Sequence, residues 1–358
     1  MWKSLKDRAE GVKEMKRMKT TEAVGQVLCH DITQIIPGVT KDAVFRKGHI
    51  IREEDIPVLL SVGKDSVYIW ENDETMMHEN DAAEVLYRMT ANEHMHPSDV
   101  KEGKIEVIAD TEGLLKVDRE KLKKVNAFGE MMIATRHGNT VVKKGDKLAG
   151  TRIIPLVIKK GKMQEAEKIC DGTPILKILP FTVKKAAIIT TGNEVYHGRI
   201  KDAFTPVIEQ KIAEFGAEMM FHEIFDDNDR KITDGCLRAI EAGADIVFCT
   251  GGMSVDPDDK TPLAIKNTGA EMISYGSPVL PGAMFLLSYY RKGDKVIPIC
   301  GLPGCAMYNR RTIFDLVLPR LMAADPVTAD ELASLGEGGL CLNCKVCTFP
   351  NCGFGKGW

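Results

Sequence analysis

The stretch ADIVFCTGGMSVDPDDKTP, residues 244–262, indicates where a buried strand ends and a functional loop begins. Its first part is short, apolar and β-branched, which is typical of a central parallel strand buried on both faces. Gly251 and Gly252 then let the backbone turn sharply and approach a ligand without a Cβ in the way. Hydroxyl groups and carboxylates follow within reach, so we expect the chemistry of the chain at this strand end.

A helix is expected directly after this loop. Pro262 suits the first turn of a helix, with Thr261 as its N-cap. The N-terminus of that helix would face the loop and favour a phosphate or another anion. The alternative interpretation is a solvated turn between strand and helix that binds nothing.

Strands and helices alternate along the second half of the chain. The predicted strands are residues 185–190, 245–249 and 295–300, and the predicted helices are residues 202–215, 229–242, 261–267 and 305–322. This alternation predicts an α/β fold with a doubly wound, mostly parallel sheet. Such sheets bind ligands at the carboxyl ends of their strands.

Three of these strand ends carry glycine-containing turns: TTGNE at residues 190–194, TGG at residues 250–252 and GLPGC at residues 301–305. None has the spacing of a P-loop or of a dinucleotide-binding motif. Together they predict one site for an anionic, heterocyclic ligand. The candidate binding residues are Thr191, Gly192, Asn193, Thr250, Gly251, Gly252, Met253, Ser254, Thr261, Gly301, Pro303 and Gly304.

The first half has a different pattern, with short strands, glycine corners and two brief helices, which favours a β-rich α+β domain. The predicted strands are residues 24–32, 67–70, 104–109, 131–135 and 152–158, and the predicted helices are residues 53–60 and 81–89. His78, Glu93, His94 and His96 match no metal-ligand spacing. Surface histidines are therefore favoured over a metal site there.

The composition limits the classes of function. A net charge of −3 over 358 residues gives no support for a nucleic-acid partner, and the chain has no apolar run long enough to predict a membrane span. Residues 1–20 are basic but lack the apolar segment of a signal peptide, so we expect a cytoplasmic protein.

Four of the ten cysteines, Cys341, Cys344, Cys347 and Cys352, lie close together near the C-terminus. Such a cluster can supply four thiolates to an iron–sulfur cluster or to one Zn²⁺ ion, and the spacing leaves the metal open. Residues 336–339 are predicted to be a flexible lead-in. An unliganded, reduced tail is the alternative, and a third interpretation makes this tail an interaction module.

The order of the motifs resembles the molybdopterin-binding domain of molybdenum-cofactor biosynthesis proteins, over residues 183–320. TTGNE, Asp226–Asp227, TGGMSVDPDD with Thr261, PG at residues 281–282 and GLPGC follow one another as in that family. The resemblance implies that these loops hold the phosphate of the pterin. It also implies that Asp259 takes part in the chemistry or binds Mg²⁺, with Glu194 and Asp226 as further catalytic acids.

The first half resembles parts of the molybdopterin molybdotransferases, at residues 24–32 and 46–69. It lacks their DGYA loop, and residues 281–284 read PGAM where that group has a lysine-bearing PGKP turn. The resemblance implies a transferase of molybdenum-cofactor biosynthesis. The alternatives are a non-catalytic carrier or sensor of the cofactor, and a relative of the competence-damage-inducible proteins, whose similar domain handles other nucleotides.

These interpretations predict four segments. They are a basic extension (residues 1–20), a β-rich domain (21–182), a molybdopterin-binding domain (183–325) and a Cys-rich metal-binding tail (326–358). The expected ligands are molybdopterin or its adenylylated form, with Mg²⁺. Expected protein partners are other cofactor-biosynthesis proteins, molybdoenzymes or further copies of the chain.

Overall fold

A computed structural model of the chain describes residues 16–36, 40–69 and 75–357. The chain forms two compact units. The first contains the described residues up to 111 together with residues 117–136 and 143–177, and the second contains residues 112–116, 137–142 and those from 178 onward. The sequence placed the boundary at residues 182–183 and assigned both short segments to the first domain.

The strands are, in chain order, β1 Lys16–Lys19, β2 Ile32–Ile36, β3 Thr40–Phe45, β4 Ser66–Ile69, β5 Met76–His78, β6 Met95–Pro97, β7 Lys104–Ala109, β8 Gly113–Val117, β9 Met131–Thr135, β10 Thr140–Val142, β11 Lys147–Ile153, β12 Val157–Lys159, β13 Leu176–Leu179, β14 Lys185–Thr191, β15 Glu218–Phe225, β16 Ile246–Thr250, β17 Glu271–Tyr275, β18 Leu286–Lys292 and β19 Lys295–Leu302.

The α-helices of the described residues are α1 Ile56–Ser61, α2 Glu79–Thr90, α3 Arg119–Asn126, α4 Lys160–Cys170, α5 Asn193–Tyr196, α6 Phe204–Ala213, α7 Asp229–Glu241, α8 Thr261–Asn267, α9 Ile313–Met322 and α10 Ala329–Ser334. None of these helices has the length and apolar character that a membrane crossing requires.

The first unit is rich in β-structure, as predicted. Its main sheet is antiparallel, with strand order β6-β7-β11-β9. Antiparallel ribbons form between β1 and β4, β2 and β3, and β5 and β12. Helix α2 packs on β7 and β11 and buries Ala82, Ala83 and Leu86, which share one helical face.

Several local predictions in the first unit were wrong. Residues 24–32 form no continuous strand, because Val27 and Leu28 make only isolated bridges and β2 begins at Ile32. The strand predicted at residues 152–158 is broken, since β11 ends at Ile153 and β12 begins at Val157. Trp70, which ended another predicted strand, lies outside the described residues.

The histidines of the first unit differ in their surroundings. His78 is buried rather than on the surface; its Nδ1 accepts the Asn80 N–H and caps α2, while its Nε2 lies 2.7 Å from the carbonyl oxygen of Cys29. His96 pairs with Asp110 at 2.7 Å and is partly exposed. The burial of His78 could not be read from its sequence neighbours, because the contact to Cys29 spans 49 positions.

The second unit is built on a six-stranded sheet with the order β15-β14-β16-β19-β18-β17. Strands β15, β14, β16 and β19 are mutually parallel, and β18 and β17 complete the sheet as antiparallel strands. This mostly parallel sheet confirms the predicted fold class. The sequence missed β15, β17 and β18; the two edge strands β15 and β17 have almost no fully buried residues and lack the continuous apolar run of a central parallel strand.

Alternate residues of the central strands pack on opposite faces of this sheet, which makes it doubly wound. On β16, Ile246 and Phe248 belong to the core formed with α6 and α9, whereas Val247 and Cys249 belong to the core formed with α7 and α8. Burying a side chain of this size contributes about 1.5–3 kcal/mol. The strand is therefore held firmly from both sides up to its carboxyl end.

Two helix limits in the second unit differ from the prediction. The helix expected over residues 305–322 begins only at Ile313, because Thr312 and Asp315 form a capping box that starts it there. A separate 3-10 turn occupies Gly304–Met307. Helix α10 lies beyond Ala324, where the sequence predicted that helical structure would stop.

The Cys-rich tail is docked on the second unit. Leu340 bridges to Leu280, the Cys341 N–H donates to the Leu280 carbonyl at 2.8 Å, and Phe354 is buried in the core. A Cβ on Gly339 would lie 2.5 Å from the carbonyl oxygen of Pro278. The prediction that residues 336–339 form a flexible lead-in is therefore wrong. The absence of a side chain at Gly339 allows the backbone to pack closely against Pro278.

Candidate functional site

The carboxyl ends of the parallel strands lie side by side. Thr190 is opposite Thr250 in the register of β14 and β16, and Thr250 is opposite Leu302 in β19. Thr191 is opposite Phe225 at the end of β15. The turns that follow these strands therefore leave the sheet at one edge, which is the position that a doubly wound sheet uses for ligands.

Buried threonines join the turns below this edge. The Thr191 hydroxyl donates to the Thr250 carbonyl at 3.1 Å and lies 3.0 Å from the Thr261 hydroxyl. Thr261 is the first residue of α8, with Lys260 as N-cap, so the predicted N-cap position was wrong by one residue. The Thr261 hydroxyl is committed to Thr191 rather than to capping the seven-residue helix α8.

The glycines of the TGG turn are required by neighbouring protein atoms. Gly251 has φ +83°, and a Cβ there would lie 2.1 Å from the carbonyl oxygen of Thr191. Gly252 has φ +55°, and its Cβ would lie 2.8 Å from Thr261 Oγ1. The expectation that these glycines leave room for a ligand is corrected, because protein atoms already fill that space. Gly304, by contrast, faces open space, because a Cβ there would meet no heavy atom within 4 Å beyond its chain neighbours.

Acidic side chains surround the outer part of the site. Asp227 accepts the Asn193 N–H at 3.1 Å. Burial raises the pKa of Asp227, the hydrogen bond from Asn193 lowers it, and the negative charges of Glu194, Asp259 and Asp258 raise it, so that the net shift is upward. The predicted acids Glu194 and Asp259 thus both raise the pKa of the Asp227 carboxylate.

Asp226, the third predicted acid, is paired with a lysine that the sequence did not single out. Its Oδ2 accepts from Lys231 Nζ at 2.8 Å, and the same ammonium group lies 5.8 Å from the ring centroid of Tyr196. The other carboxylate oxygen, Oδ1, is buried and has no hydrogen-bond partner among the described residues.

A second polar atom without a partner lies at the end of the central strand. Thr250 is fully buried, and its Oγ1 forms no hydrogen bond within the part of the chain that the structure describes. Buried polar groups are nearly always hydrogen-bonded, since an unsatisfied one costs about 1–3 kcal/mol. Thr250 Oγ1 and Asp226 Oδ1 are therefore unsatisfied polar atoms at the ends of neighbouring segments of this edge.

Other predicted residues have different surroundings. The Met253 side chain is buried in the core, where its sulfur and methyl group occupy the space beside Gly301, so this side chain supports the turn from below. Ser254 and Asn193 are exposed, and Pro303 is buried. Only the backbone of Met253 faces a polar partner, since its carbonyl accepts from Tyr275.

Tyr275 was missed by sequence reasoning. Its hydroxyl donates to the carbonyls of Met253 at 3.0 Å and Ser254 at 3.3 Å, which fixes the course of the loop. Burial and the charge of Asp259 raise its pKa. Tyr275 lies on β17, a strand that the sequence did not reveal, so no local signal linked it to the loop. Asp227, by contrast, could have been singled out from the sequence, because it directly follows the predicted acid Asp226.

The site contains more carboxylates than available cations. The amino group of Lys231 is paired with Asp226, and that of Lys260 donates to the Pro257 carbonyl. No group of three or more His, Cys, Asp or Glu side chains in the described ranges is arranged to hold a metal ion. An anionic ligand would therefore need a positive charge that these side chains do not offer.

The predicted metal ligands of the tail lie on one cavity of about 240 Å³. Cys344 and Cys347 are exposed, and Cys341 and Cys352 are partly buried. All four are free thiols that do not form a converged ligand set. The metal site in the tail remains a prediction.

The strand order and the two helical layers define an α/β domain with a doubly wound, mostly parallel sheet. Residues 187–323 match a family whose description reads "probable molybdopterin binding domain". The second unit thus contains a domain of the molybdopterin-binding family, which confirms the resemblance. Residues 17–71 match a different family, described as a domain of unknown function.

Curated relatives share only part of their length with this chain. A putative competence-damage inducible protein of Bacillus cereus (strain B4264) is 30% identical over 129 residues, which are 36% of this chain and 30% of that protein. The protein of the same name from Bacillus subtilis (strain 168) is 32% identical over 85 residues, which are 24% of this chain and 20% of that protein. The matched part is thus less than a third of either relative.

Solved structures with similarity to this chain include the tungsten cofactor synthesizing protein MoaB from Pyrococcus furiosus. It is 20% identical, with a TM-score of 0.32, over 39% of this chain and 89% of that chain. The protein CinA from Thermoplasma acidophilum is 17% identical, with a TM-score of 0.31, over 39% of this chain and 98% of that chain.

Proposed function

We propose that the second unit binds molybdopterin at the carboxyl edge of its parallel sheet, and that the protein acts in the synthesis or handling of the molybdenum cofactor. The observation that carries this proposal is the meeting of the TTGNE, TGG and GLPGC turns at one edge, within a domain of the molybdopterin-binding family. The Thr250 hydroxyl at this edge, which has no hydrogen-bond partner among the described residues, would supply a hydrogen-bonding group for the ligand.

The ligand would use two kinds of group. Polar parts of the pterin would hydrogen-bond to Thr250 Oγ1 and to backbone groups of the TTGNE and TGG turns. The phosphate would lie nearer to Gly304, where the backbone is exposed and open space remains. Both regions belong to the same edge, so one ligand can contact them together.

The acids favour a ligand that carries its own cation. We propose Mg²⁺ as a companion of the phosphate, because Mg²⁺ is usually held by one or two carboxylates together with substrate phosphates. Asp259 and Asp227, which influence each other electrostatically, are the proposed carboxylates. Such a cation would relieve the mutual repulsion of these acids and supply the missing positive charge.

A molybdotransferase-type reaction is the more specific form of the proposal. Asp259 would act at the reacting end of the ligand, while Glu194 and Asp226 would complete its acidic surroundings. The PGAM turn has Ala283 where the transferases carry a lysine. This difference supports the second form of the proposal, a non-catalytic carrier that delivers the cofactor to molybdoenzymes in the cytoplasm.

A different ligand is a second candidate, and the curated relatives motivate it. They are named competence-damage inducible proteins, and they share 30–32% identity with 85 to 129 residues of this chain. On this proposal the heterocycle would belong to a nucleotide rather than to a pterin. The acidic site with Mg²⁺ would suit the phosphates of either ligand.

Release of bound pterin distinguishes these candidates. The full chain, purified without oxygen, would be denatured in the presence of an oxidant, and the supernatant would be examined for pterin fluorescence. We expect fluorescence in proportion to protein, and we expect ATP or NAD not to displace the pterin from the folded protein. Displacement by nucleotide, or nucleotide in place of pterin in the supernatant, would favour the second candidate.

A further inference from the structure

The four tail cysteines form a second chemical centre on the domain, separate from the strand-end site. Cys341, Cys344, Cys347 and Cys352 all line one cavity of about 240 Å³. The remaining cysteines outside the tail are buried, except for Cys305, which is partly buried. The tail therefore brings four of the five thiols of the described chain that are not buried together around one open cavity.

The cavity is larger than a single ion needs. A water molecule's share of liquid volume is about 30 Å³, so the space can contain several atoms. Four sulfurs around one Zn²⁺ ion would stand about 2.3 Å from it and leave almost no space between them. The four thiols line one common space without converging on a single point. The geometry suits an inorganic unit of several atoms better than one ion.

Positive charge lies beside these thiols. Arg311 lines the same cavity as the four cysteines, and its Nη1 donates to Asp315 Oδ1 at 2.9 Å. The Arg311 guanidinium also stacks 4.8 Å from the ring centroid of Phe349. Its Nε is buried and has no hydrogen-bond partner among the described residues. A guanidinium in this place offers a hydrogen-bond donor to the sulfur atoms of a bound cluster.

The backbone around the cavity is held at both ends by the folded unit. The Cys341 N–H donates to Leu280, the Gly355 N–H donates to Gly338 at 3.0 Å, and Phe354 is buried in the core. Arg310 also donates to the Lys345 carbonyl at 3.2 Å. The chain between the first and last cysteine is thus a short closed loop, so binding a ligand costs little further loop-closure entropy.

We propose that Cys341, Cys344, Cys347 and Cys352 bind one iron–sulfur cluster in this cavity, with Arg311 beside it. Four thiolates from one short run are a known ligand set for such clusters. The cluster would fill the space that the thiols line and would compensate the unpartnered Nε of Arg311. This inference does not depend on the ligand of the strand-end site.

The test uses the full chain, purified without oxygen and reconstituted with Fe²⁺ and sulfide under reducing conditions. Iron, acid-labile sulfide and zinc would be measured together with the visible absorption spectrum. Cys344→Ala and Cys347→Ala are the informative variants, because both side chains are exposed and their loss should leave the fold intact. Cys170→Ala, which removes a thiol from the first unit, is the matched control.

We expect iron and sulfide in comparable amounts, with visible charge-transfer absorption that both tail variants lose and Cys170→Ala retains. Circular dichroism would show that the tail variants remain folded. One zinc per chain without sulfide would overturn the cluster, as would wild-type protein that takes up no metal. Iron and sulfide retained by folded Cys344→Ala and Cys347→Ala would also overturn it.

Discussion

Asp227 links the electrostatics of the strand-end site to the stability of the fold. Burial and the charges of Glu194, Asp259 and Asp258 hold its pKa above the ordinary value, although Asn193 donates to it. A carboxyl whose pKa is raised by folding stabilises the folded state below its unfolded pKa of about 3.9, and this contribution is lost as the pH rises through the folded pKa. The ionised Asp227 therefore opposes folding at neutral pH.

We predict that Asp227→Asn raises the thermal unfolding midpoint at neutral pH, and that its advantage over wild type shrinks as the pH falls below the carboxyl range. The amide oxygen can still accept from Asn193, so the turn is retained. Calorimetry across pH is the measurement, with Asp234→Asn on an exposed face of α7 as control. A lower midpoint at neutral pH, or a difference that does not vary with pH, would contradict this assignment.

A substitution at Thr250 allows an effect on ligand affinity to be distinguished from an effect on the stability of the fold. Its buried hydroxyl has no partner in the described chain, so Thr250→Val should leave the free energy of unfolding unchanged or raise it by up to about 1–3 kcal/mol. If the hydroxyl bonds the ligand, affinity should fall about tenfold, since a net hydrogen bond contributes about 0.5–1.5 kcal/mol.

Denaturant unfolding and equilibrium binding on the same samples would measure both effects. Thr268→Val is the matched control, because its hydroxyl is buried but bonded to the Ile265 carbonyl at 2.6 Å. The control should lose stability and retain affinity. A Thr250→Val protein that is clearly destabilised, with binding unchanged, would show that the hydroxyl has a structural role only.

At the scale of elements, the strands that carry the site could be predicted because they are buried on both faces. Residues 185–190, 245–249 and 295–300 each contain an apolar run after a first charged residue, and β14, β16 and β19 lie there. The edge strands β15 and β17 were missed because they have almost no fully buried residues, and β18, an inner antiparallel strand, was missed although its first four residues are buried. Tyr275 was lost together with β17, since a contact between that strand and the loop leaves no local pattern.

The two glycine turns differ in a way that the sequence could not show. Both TGG and GLPGC indicate a turn, yet a Cβ on Gly251 would collide with Thr191 whereas one on Gly304 would meet open space. The collision depends on a residue some sixty positions away, at the end of the neighbouring strand. Sequence spacing alone therefore gave both glycines the same role.

We predict that Gly251→Ala destabilises the second unit by roughly 2–5 kcal/mol, because it combines an unfavourable positive φ with overpacking against Thr191. Gly304→Ala should change stability by less than about 1 kcal/mol, since its backbone does not need glycine. Urea unfolding of both variants is the comparison. Equal stability of the two proteins would contradict the packing role of Gly251.

At the scale of the whole molecule, the tail belongs to the second unit. Phe354 lies in the core together with residues of the sheet and α9, and a Cβ on Gly355 would meet Leu316 at 2.4 Å. The sequence signalled the cysteines but not this docking, because Gly336, Gly338 and Gly339 have the composition of a linker. Removing the tail would expose core surface, so single cysteine substitutions test its chemistry more cleanly.

We predict that Phe354→Ala lowers the free energy of unfolding of the second unit by about 3–5 kcal/mol, as expected for a buried aromatic side chain. Val346→Ala, at an exposed position of the same tail, should have almost no effect. Denaturant unfolding followed by circular dichroism would measure both. A Phe354→Ala protein as stable as wild type would indicate that the tail is not docked in solution.

Calorimetric titration of the full chain with molybdopterin, with and without Mg²⁺, tests the central claim most directly. We predict saturable binding at one site per chain, strengthened by Mg²⁺ and weakened about tenfold or more in Asp259→Asn, because that variant lacks a hard oxygen ligand and a negative charge. Asp234→Asn should bind as wild type does. Absence of binding by the folded wild-type protein, or equal affinity in wild type and Asp259→Asn under both conditions, would contradict the proposed site.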